Sequence, residues 1–274
     1  VRRNMKFRNP PRSGGSHKLM DADPKTLELD KDAPRRSMQR LVREFLDARC
    51  MDNMELMAEF PDGHFALAIV DPPYGLGKKL LGGFNREEGK SSLDTYKGKA
   101  WDVVPPPEYF AELRRVSKHQ IIWGGNYFDL PPCRGFVVWD KNQPMPSMSF
   151  GEFAWTSFDK PARKVEYAYT NYVEGRARPN PRIHPTQKPV GLYDWLLANY
   201  AKEGDRILDT HMGSGSIAIA CHYARLHLTA CEIDPDYFTA SCARIERETA
   251  QDSFCFPNAL AQADAACGVS PGAM

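Results

Sequence analysis

The stretch Arg206-Ile-Leu-Asp-Thr-His-Met-Gly-Ser-Gly-Ser216 decides the fold class of this 274-residue chain. It predicts a short strand over residues 206–209, then a glycine loop, and then a helix from Ile217 to Tyr223. A second predicted strand, Leu228 to Cys231, ends at Glu232. A strand, a glycine loop, a helix and another strand make a βαβ unit, which places both strands in a parallel sheet.

The glycine loop and Glu232 together predict a binding site for a nucleotide-like ligand. Glycines let the backbone approach a ligand closely, and an acid that closes the second strand can accept hydrogen bonds from both hydroxyls of a ribose. Glu232 lies seventeen positions after Gly215. We therefore expect the last third of the chain to bind an adenosine-containing cofactor, although a helix-capping turn followed by a surface glutamate would leave the same pattern.

A second chemical site is predicted where another buried strand ends. The apolar run Phe65 to Val70 is typical of the middle of a parallel sheet, and it stops at Asp71-Pro-Pro-Tyr74. An exocyclic amine of a nucleobase is a poor nucleophile, because its lone pair is delocalised into the ring. The Asp71 carboxylate and the Pro72 carbonyl could accept its two hydrogens, and Tyr74 could stack on a base that has left the helix. A proline-rich turn without chemistry is the alternative.

Composition narrows the class of protein. With 42% hydrophobic and 26% charged residues, a net charge of +1 and a mean hydropathy of -0.52, the chain resembles ordinary soluble globular proteins. No apolar run approaches the roughly 18 residues of a spanning helix, and the basic N-terminal residues lead into proline and glycine instead of a secretory signal. Seven cysteines without a C-x-x-C pair argue against a disulfide framework or a zinc ribbon. We expect a cytoplasmic protein with no metal and no membrane partner.

The chain divides into three parts by composition and pattern. Residues 1–36 predict a basic N-terminal extension, residues 37–248 a catalytic domain, and residues 249–274 a C-terminal tail. Within the domain, residues 76–107 are too long for an idle connection and predict a mobile loop. The apolar spacing from Ser37 to Leu46 predicts a helix with a serine N-cap.

The remaining elements alternate between helical and strand patterns, which predicts an α/β domain. Predicted helices lie at 54–60, 109–116 and 190–200, and predicted strands at 120–123 and 136–139, with short β pieces at 152–158 and 165–172.

Five segments resemble the motif series of the DNA amino-methyltransferases. In chain order they are Asp71-Pro-Pro-Tyr74, Trp123-Gly-Gly-Asn-Tyr-Phe128, His184-Pro-Thr-Gln-Lys-Pro189, Leu208-Asp-Thr-His-Met-Gly-Ser-Gly-Ser216 and Cys231-Glu-Ile-Asp234. The order, with Asp-Pro-Pro-Tyr before the glycine loop, is similar to the β-arranged group, many of whose members are phage or prophage enzymes. The resemblance covers about residues 47 to 248. It implies a circularly permuted Rossmann-like α/β fold with a mostly parallel, doubly wound sheet.

The resemblance also implies an activity. It is methyl transfer from S-adenosylmethionine to the N6 amine of a flipped-out adenine at specific sites in double-stranded DNA, with S-adenosylhomocysteine as the product. Such an enzyme works in the cytoplasm of a bacterial or phage-infected cell. A cognate restriction enzyme and a homodimer are possible partners.

Roles for individual residues follow from the same resemblance. The implied catalytic residues are Asp71, Pro72, Pro73 and Tyr74. The implied cofactor-binding residues are Asp52, Thr186, Lys188, Asp209, His211, Gly213, Gly215 and Glu232. Glu232 would bind the ribose, and Thr186 and Lys188 would reach the methionine carboxylate. Asp52 follows Met51 where the family has glycine, and His211 replaces the usual phenylalanine of the glycine loop, so we expect His211 in the pocket wall.

Target recognition in this group generally lies between the last catalytic strand and the His-Pro segment, here residues 141–183. Basic side chains in and near this interval could position DNA phosphates; they are Lys160, Arg163, Lys164, Arg176, Arg178 and Arg182. Asp140, Lys141 and Glu152 are candidates for ordering the interval.

Other functions stay open at this point. Aspartate before the two prolines favours adenine, but cytosine-N4 transfer uses the same chemistry, as do enzymes that act on RNA or on a protein amide. A silent nucleic-acid-binding homologue and a nicotinamide oxidoreductase are further alternatives. Pro131-Pro-Cys133 resembles the Pro-Cys motif of cytosine-C5 methyltransferases, but it precedes the glycine loop, so we expect only a turn that leads into a strand.

Overall fold

The computed structural model describes residues 40–76, 102–142, 149–168 and 182–250, and the backbone of two short strands at 172–173 and 176–177. The predicted N-terminal extension, most of the predicted loop 76–107 and nearly all of the predicted C-terminal tail lie outside these residues.

One sheet forms the centre of the described chain. Its strands are β1 (Arg40–Arg43), β2 (Leu46–Cys50), β3 (Phe65–Val70), β4 (Ser117–Trp123), β5 (Phe136–Asp140), β6 (Gly151–Thr156), β7 (Arg163–Glu166), β10 (Arg206–Asp209) and β11 (His227–Glu232). A separate hairpin consists of β8 (Tyr172–Val173) and β9 (Arg176–Ala177).

Five helices accompany the sheet in the described residues. They are α1 (Asn53–Ala58), α2 (Pro107–Val116), α3 (Val190–Tyr200), α4 (Ser216–Ala224) and α5 (Pro235–Thr249), and a short 3-10 turn spans Gly125–Tyr127. None of the described helices is long and apolar enough to cross a membrane.

The strand order is β1-β2-β11-β10-β3-β4-β6-β5-β7. All neighbours from β2 to β4 are parallel, whereas β6 is antiparallel to both β4 and β5. At the centre, β3 from the N-terminal half pairs with β10 from the C-terminal half. The predicted α/β fold with a circularly permuted, mostly parallel sheet is confirmed.

Helices cover both faces of the sheet, as in a doubly wound fold. Leu67 and Ile69 of β3 belong to an apolar layer with α3, α4 and α5, while Phe65 and Val70 belong to a second layer with α1 and α2. Because β3 is buried on both faces, its sequence is a continuous apolar run instead of an alternating one.

The predicted helix from Ser37 to Leu46 is wrong in its described part, where β1 and β2 form an antiparallel hairpin. The sequence spacing fits either structure, but β2 also pairs in parallel with β11, and Leu46 and Ala48 point into the core with Asp47 between them. Pairing with a strand from the far end of the chain therefore overrides the local helical pattern.

Other predicted elements agree closely with the structure. The strands at 65–70 and 206–209 and the helix at 190–200 are confirmed residue for residue. Helix α5 was not predicted, although Asp234-Pro235 marks its start: the Asp234 carboxylate accepts hydrogen bonds from the backbone N–H groups of Asp236 and Tyr237.

Candidate active site

A cavity of about 460 Å³ lies at the carboxyl edge of the sheet, beside the ends of β3 and β10. From β3 the chain crosses to β4 on one side, and from β10 it crosses to β11 on the other. Such a switch point leaves a crevice at the carboxyl ends of the strands, where α/β proteins bind their ligands. The cavity has the size of a typical ligand pocket.

Most of the predicted site residues line this cavity. They are Asp52, Asp71, Pro72, Pro73, Tyr74, Thr186, Lys188, His211, Gly213 and Glu232. The structure therefore brings together the two chemical sites that the sequence placed about 140 positions apart. Asp209 and Gly215 do not line the cavity.

Glu232 is held by backbone groups. Its carboxylate, in a residue only 8% exposed, accepts hydrogen bonds from the N–H groups of Gly213 and Asp234, both at 2.9 Å. Burial raises the pKa of Glu232, and these N–H donors oppose that shift. The carboxylate is thereby fixed at the cavity wall by the two loops that follow β10 and β11.

The two glycines of the loop have different roles. Gly213 lines the cavity with φ at +51°. Gly215 caps α4 with φ at +73°, and a Cβ there would lie 2.8 Å from the Ile245 side chain of α5. The left-handed φ favours glycine at this position, and the absence of a Cβ leaves room for the Ile245 side chain beside the start of α4.

Asp209 supports the loop from beneath. Its Oδ1 accepts a hydrogen bond of 2.9 Å from the N–H of His211, and the side chain is buried at the end of β10. Burial raises the pKa of Asp209 to about 8. The expectation that Asp209 lines the pocket is thus replaced by a role in shaping the turn that leads to His211.

His211 lies in the cavity wall as a neutral imidazole, because burial lowers its pKa to about 3. The Asn53 amide donates to Nε2 at 3.1 Å, so Nδ1 carries the hydrogen and faces the Thr210 hydroxyl at 3.0 Å. The Thr210 hydroxyl in turn shares a hydrogen bond of 2.6 Å with Tyr109. These partners fix the ring, and none of them was predicted from the sequence.

Asp52 is the N-cap of α1. Its Oδ1 accepts hydrogen bonds from the N–H groups of Met54 at 2.7 Å and Glu55 at 3.2 Å. The residue also lines the cavity next to the end of β2. The capping of α1 is therefore a structural role of Asp52 that does not depend on contact with a ligand.

Asp71 is surrounded by side chains instead of backbone groups. The Tyr74 hydroxyl donates to Oδ1 at 2.6 Å, and the Lys188 ammonium forms an ion pair with Oδ2. Lys188 also contacts Glu152 at 3.1 Å, and Glu152 pairs with Lys141 at 2.7 Å. Lys188, expected to reach for a cofactor carboxylate, is thus bound to the protein's own carboxylates.

The segment Trp123–Phe128 holds the Tyr74 ring in place. Tyr127 stacks on Tyr74 with a centroid separation of 4.8 Å and an interplanar angle of 16°. At Gly124, where φ is +66°, a Cβ would lie 2.1 Å from the Tyr74 ring. The sequence analysis identified this segment only as a family-like motif and did not predict its contacts with Tyr74.

The His184–Pro189 segment is tied to both halves of the cavity. The Thr186 hydroxyl lies 3.1 Å from His184 Nδ1, and the Ser216 hydroxyl at the start of α4 donates to the Lys188 carbonyl at 2.7 Å. Arg182 donates to the Pro185 carbonyl at 3.0 Å, so this predicted DNA contact also stabilises the turn.

Two of the predicted DNA contacts lie away from the cavity. Strand β6 runs antiparallel to β4 and carries the chain from Glu152 beside the cavity to the opposite edge of the sheet. There Lys160 donates to the Asn199 carbonyl at 3.2 Å, and Arg163 donates to the Asn199 side chain at 2.9 Å. The structure does not bring these two basic residues to the cavity.

The other predicted DNA contacts are less informative. Lys164 forms ion pairs of 2.8 Å with both Asp140 and Glu166. Arg176 belongs to the short strand β9, and Arg178 lies outside the described residues.

Comparison with known proteins finds similarity to DNA methylases. Residues 138–242 match the N6/N4 methyltransferase family model, described as DNA methylase. Over 206 residues, 61% of this chain and 75% of the relative, the chain is 24% identical to the Type II methyltransferase M2.MboI of Moraxella bovis. These similarities support a DNA amino-methyltransferase. The chain is also 28% identical over 88 residues to the Type II methyltransferase M.HpaI of Haemophilus parainfluenzae, a match that spans 32% of this chain and 27% of that enzyme.

Two solved structures are similar to this chain at low sequence identity. The M1.HpyAVI-SAM complex is 18% identical, with 73% of this chain and 98% of that chain covered and a TM-score of 0.47. The cytosine-N4-specific PvuII DNA methyltransferase is 14% identical, with 75% and 90% covered and a TM-score of 0.47.

Proposed function

We propose that this protein transfers a methyl group from S-adenosylmethionine to the exocyclic N6 amine of an adenine flipped out of double-stranded DNA. One observation carries the proposal: a single cavity holds both the glycine loop with Glu232 and the Asp71-Pro-Pro-Tyr74 segment. The first is a binding site for an adenosine group, and the second offers acceptors for an amine. S-adenosylhomocysteine is the second product.

The residues on the β10–β11 side fit the cofactor. Glu232 is buried at the cavity wall with its carboxylate already oriented by two backbone donors, so it can accept hydrogen bonds from the ribose hydroxyls without reorganising. Gly213 leaves the adjacent backbone open to the ligand, and neutral His211 offers a flat wall. Asp52 and Thr186 lie in the same lining and complete the proposed binding set.

The residues that follow β3 perform the proposed amine chemistry. The Asp71 carboxylate and the Pro72 carbonyl accept the two hydrogens of the amine and direct its nitrogen lone pair at the methyl group. The cofactor supplies that methyl group as an electrophile on a sulfonium. With S-adenosylhomocysteine as the leaving group, the Asp71 carboxylate would accept the proton that the methylated amine loses. Tyr74 stacks on the extruded base, a contact worth about 1–3 kcal/mol.

Adenine is proposed over cytosine because aspartate precedes the two prolines, which in this family goes mostly with N6 of adenine. Transfer to N4 of cytosine would use the same two acceptors. The identity of the methylated nucleoside therefore distinguishes adenine from cytosine as the substrate.

The test is nucleoside analysis of DNA from a methylation-deficient host that expresses the full chain, with the Asp71→Ala variant as an inactive control. We expect N6-methyldeoxyadenosine with the parental chain only, and sequencing of modified positions gives the target sequence. N4-methyldeoxycytidine instead would replace adenine by cytosine in the proposal. The proposal would be overturned if the purified protein binds S-adenosylmethionine and yet forms neither methylated nucleoside.

A further inference from the structure

Four charged side chains form a largely buried cluster that includes Asp71 of the proposed amine site. They are Asp71, Lys141, Glu152 and Lys188, called here the acid–lysine cluster. Lys188 lies at its centre: it is 3% exposed at the side chain, contacts both carboxylates, and lies over the Trp123 ring at 5.2 Å from the centroid. Two acids and two lysines balance the charge of the cluster.

Burying four charged side chains costs desolvation free energy, so their function is more plausibly chemical than stabilising. Removing charges from water costs several kcal/mol for each ion, and buried ion pairs are often no more stabilising than apolar residues of the same size. A lysine that served only to bind a ligand would not need a second carboxylate behind it. Glu152 contacts the Lys188 ammonium at 3.1 Å while Asp71 pairs with it, so the ammonium is shared between two carboxylates of the protein.

We propose that Lys188 is a positioning residue for methyl transfer, which holds the Asp71 carboxylate ionised and oriented towards the target amine, and that Glu152 sets the strength of this contact. The inference rests on the proposed function and deepens it. It replaces the expectation that Lys188 binds the methionine carboxylate of the cofactor.

The charges around Asp71 give a sign for each change. Burial raises the pKa of Asp71, Lys188 lowers it, and the negative charge of Glu152 raises it. Removing Lys188 must therefore raise the pKa of Asp71 further, whereas neutralising Glu152 must lower it. Two substitutions in one cluster are thus expected to act in opposite directions.

Other ionisable groups near Asp71 do not change this prediction. Tyr74, Tyr109 and Tyr193 each have a pKa raised well above 10, chiefly by burial, and stay neutral over the working range of pH. Asp209 has a pKa raised to about 8 by burial and stays mainly protonated below that pH.

The first experiment observes Asp71 directly and needs no turnover. Carbon-13 NMR of aspartate side chains follows its titration in the full chain, with Asp71→Asn used to assign the signal. Lys188→Met should move the midpoint to higher pH and Glu152→Gln to lower pH. Lys202→Met, at an exposed loop position, is the matched control and should leave the midpoint unchanged.

The second experiment measures methyl transfer against pH. Lys188→Met should lower the rate at pH 6.5 about tenfold or more and regain activity towards pH 9, because Asp71 must lose its proton first. Glu152→Gln should move the acidic limb of the same profile to lower pH. Cofactor affinity, measured by calorimetry, should stay close to the parental value in both variants.

Each result either supports or overturns the inference. Shifts of opposite sign support it. An unmoved Asp71 midpoint, or shifts of the same sign, overturns it, as does a Lys188→Met variant that loses cofactor affinity and keeps its pH profile, since Lys188 would then bind the cofactor. If Lys188→Met does not fold, Glu152→Gln decides alone by the direction of its shift. Absence of methyl transfer in the parental chain would overturn the proposed function while the NMR titration still tests the cluster.

Discussion

The two halves of the cavity are held in shape by different kinds of interaction. In the glycine-loop half, backbone N–H groups of Gly213 and Asp234 hold the Glu232 carboxylate. In the amine half, the side chains of Tyr74 and Lys188 hold the Asp71 carboxylate. The first arrangement is local to one βαβ unit, whereas the second depends on residues from distant parts of the chain. A site built from backbone donors tolerates nearby substitutions, and a site built from buried charges does not.

The sharpest test of the comparison is Asp71→Ala. It removes a transition-state acceptor and should lower the methyl-transfer rate by about 10²–10³-fold. Cofactor affinity should stay nearly unchanged, because the other half of the cavity does not rely on Asp71. Single-turnover rates and calorimetry on the same preparation check both statements. A parental rate in the variant would contradict the amine mechanism.

Glu232→Ala should break the opposite half. Loss of a charged acceptor for the ribose is expected to cost about 1.5–3 kcal/mol, or about 10–150-fold in cofactor affinity. Calorimetric titration with S-adenosylmethionine measures it, and thermal unfolding without cofactor is the control for loop damage. An unchanged affinity would remove Glu232 from the cofactor site.

Gly124→Ala tests how tightly the amine half is packed. The added methyl group would meet the Tyr74 ring at a φ of +66°, so we expect a loss of about 1–3 kcal/mol of stability together with lower activity. Gly204→Ala is a matched control, because φ there is +80° and nothing lies within 4 Å of its Cβ. Denaturant unfolding of both variants separates the clash from backbone strain. Equal activity in the two would show that Tyr74 can move without consequence.

The Asp209→Asn variant tests the glycine-loop half through the pH dependence of the free energy of unfolding. The pKa of Asp209 is near 3.8 in the unfolded chain and about 8 in the folded protein, because of burial. Between pH 4 and pH 8 the unfolded state has therefore lost a proton that the folded state keeps, so raising the pH favours unfolding through this group by up to about 1.4 kcal/mol per pH unit. The variant lacks this penalty.

From pH 5 to pH 8, the free energy of unfolding of Asp209→Asn should increase relative to that of the parental chain. Above pH 8 the difference should stay constant. Asp159→Asn, whose side chain is 85% exposed, serves as the control. Parallel curves for Asp209→Asn and the parental chain would show that Asp209 is ionised in the folded protein.

The smallest effect is expected at Cys133. This half-buried residue packs at the rim of the second apolar layer, in a turn where Trp155 donates to the Pro131 carbonyl at 2.7 Å. Cys133→Ser should keep methyl transfer within about twofold, since attack by an exocyclic amine needs no covalent enzyme intermediate. A large loss of rate with the fold intact, together with 5-methylcytosine in the product, would point to a thiol mechanism.

The sequence predicted most reliably what is encoded locally. The run Phe65 to Val70 and the unit from Arg206 to Glu232 could be placed because apolar runs and glycine loops have a strong local signature. The helix predicted from Ser37 failed because its spacing fits a strand equally well, and the choice is made by pairing with β11.

The candidate site shows the same division. Motif spacing identified Asp209 and Gly215 but not their contacts: Asp209 supports the turn to His211, and Gly215 caps α4 where Ile245 packs against it. The pairing of Lys188 with Asp71 and Glu152 could not be predicted, because it depends on β6 lying next to β4 in the sheet. The sequence places Glu152 only within the recognition interval, whereas the sheet order brings it into contact with Lys188.

The pairing of β3 with β10 has a consequence for how the chain is made. Ala68 and Leu208 are register partners, although they lie 140 positions apart in the sequence. On the ribosome, β3 therefore emerges long before its central neighbour, and closing so large a loop is a slow entropic step. Until residue 209 has been synthesised, β3 keeps an unpaired, apolar edge that can pair with a strand of another chain. We expect nascent chains stopped before β10 to aggregate, and the glycine-loop half of the cavity to be absent from them.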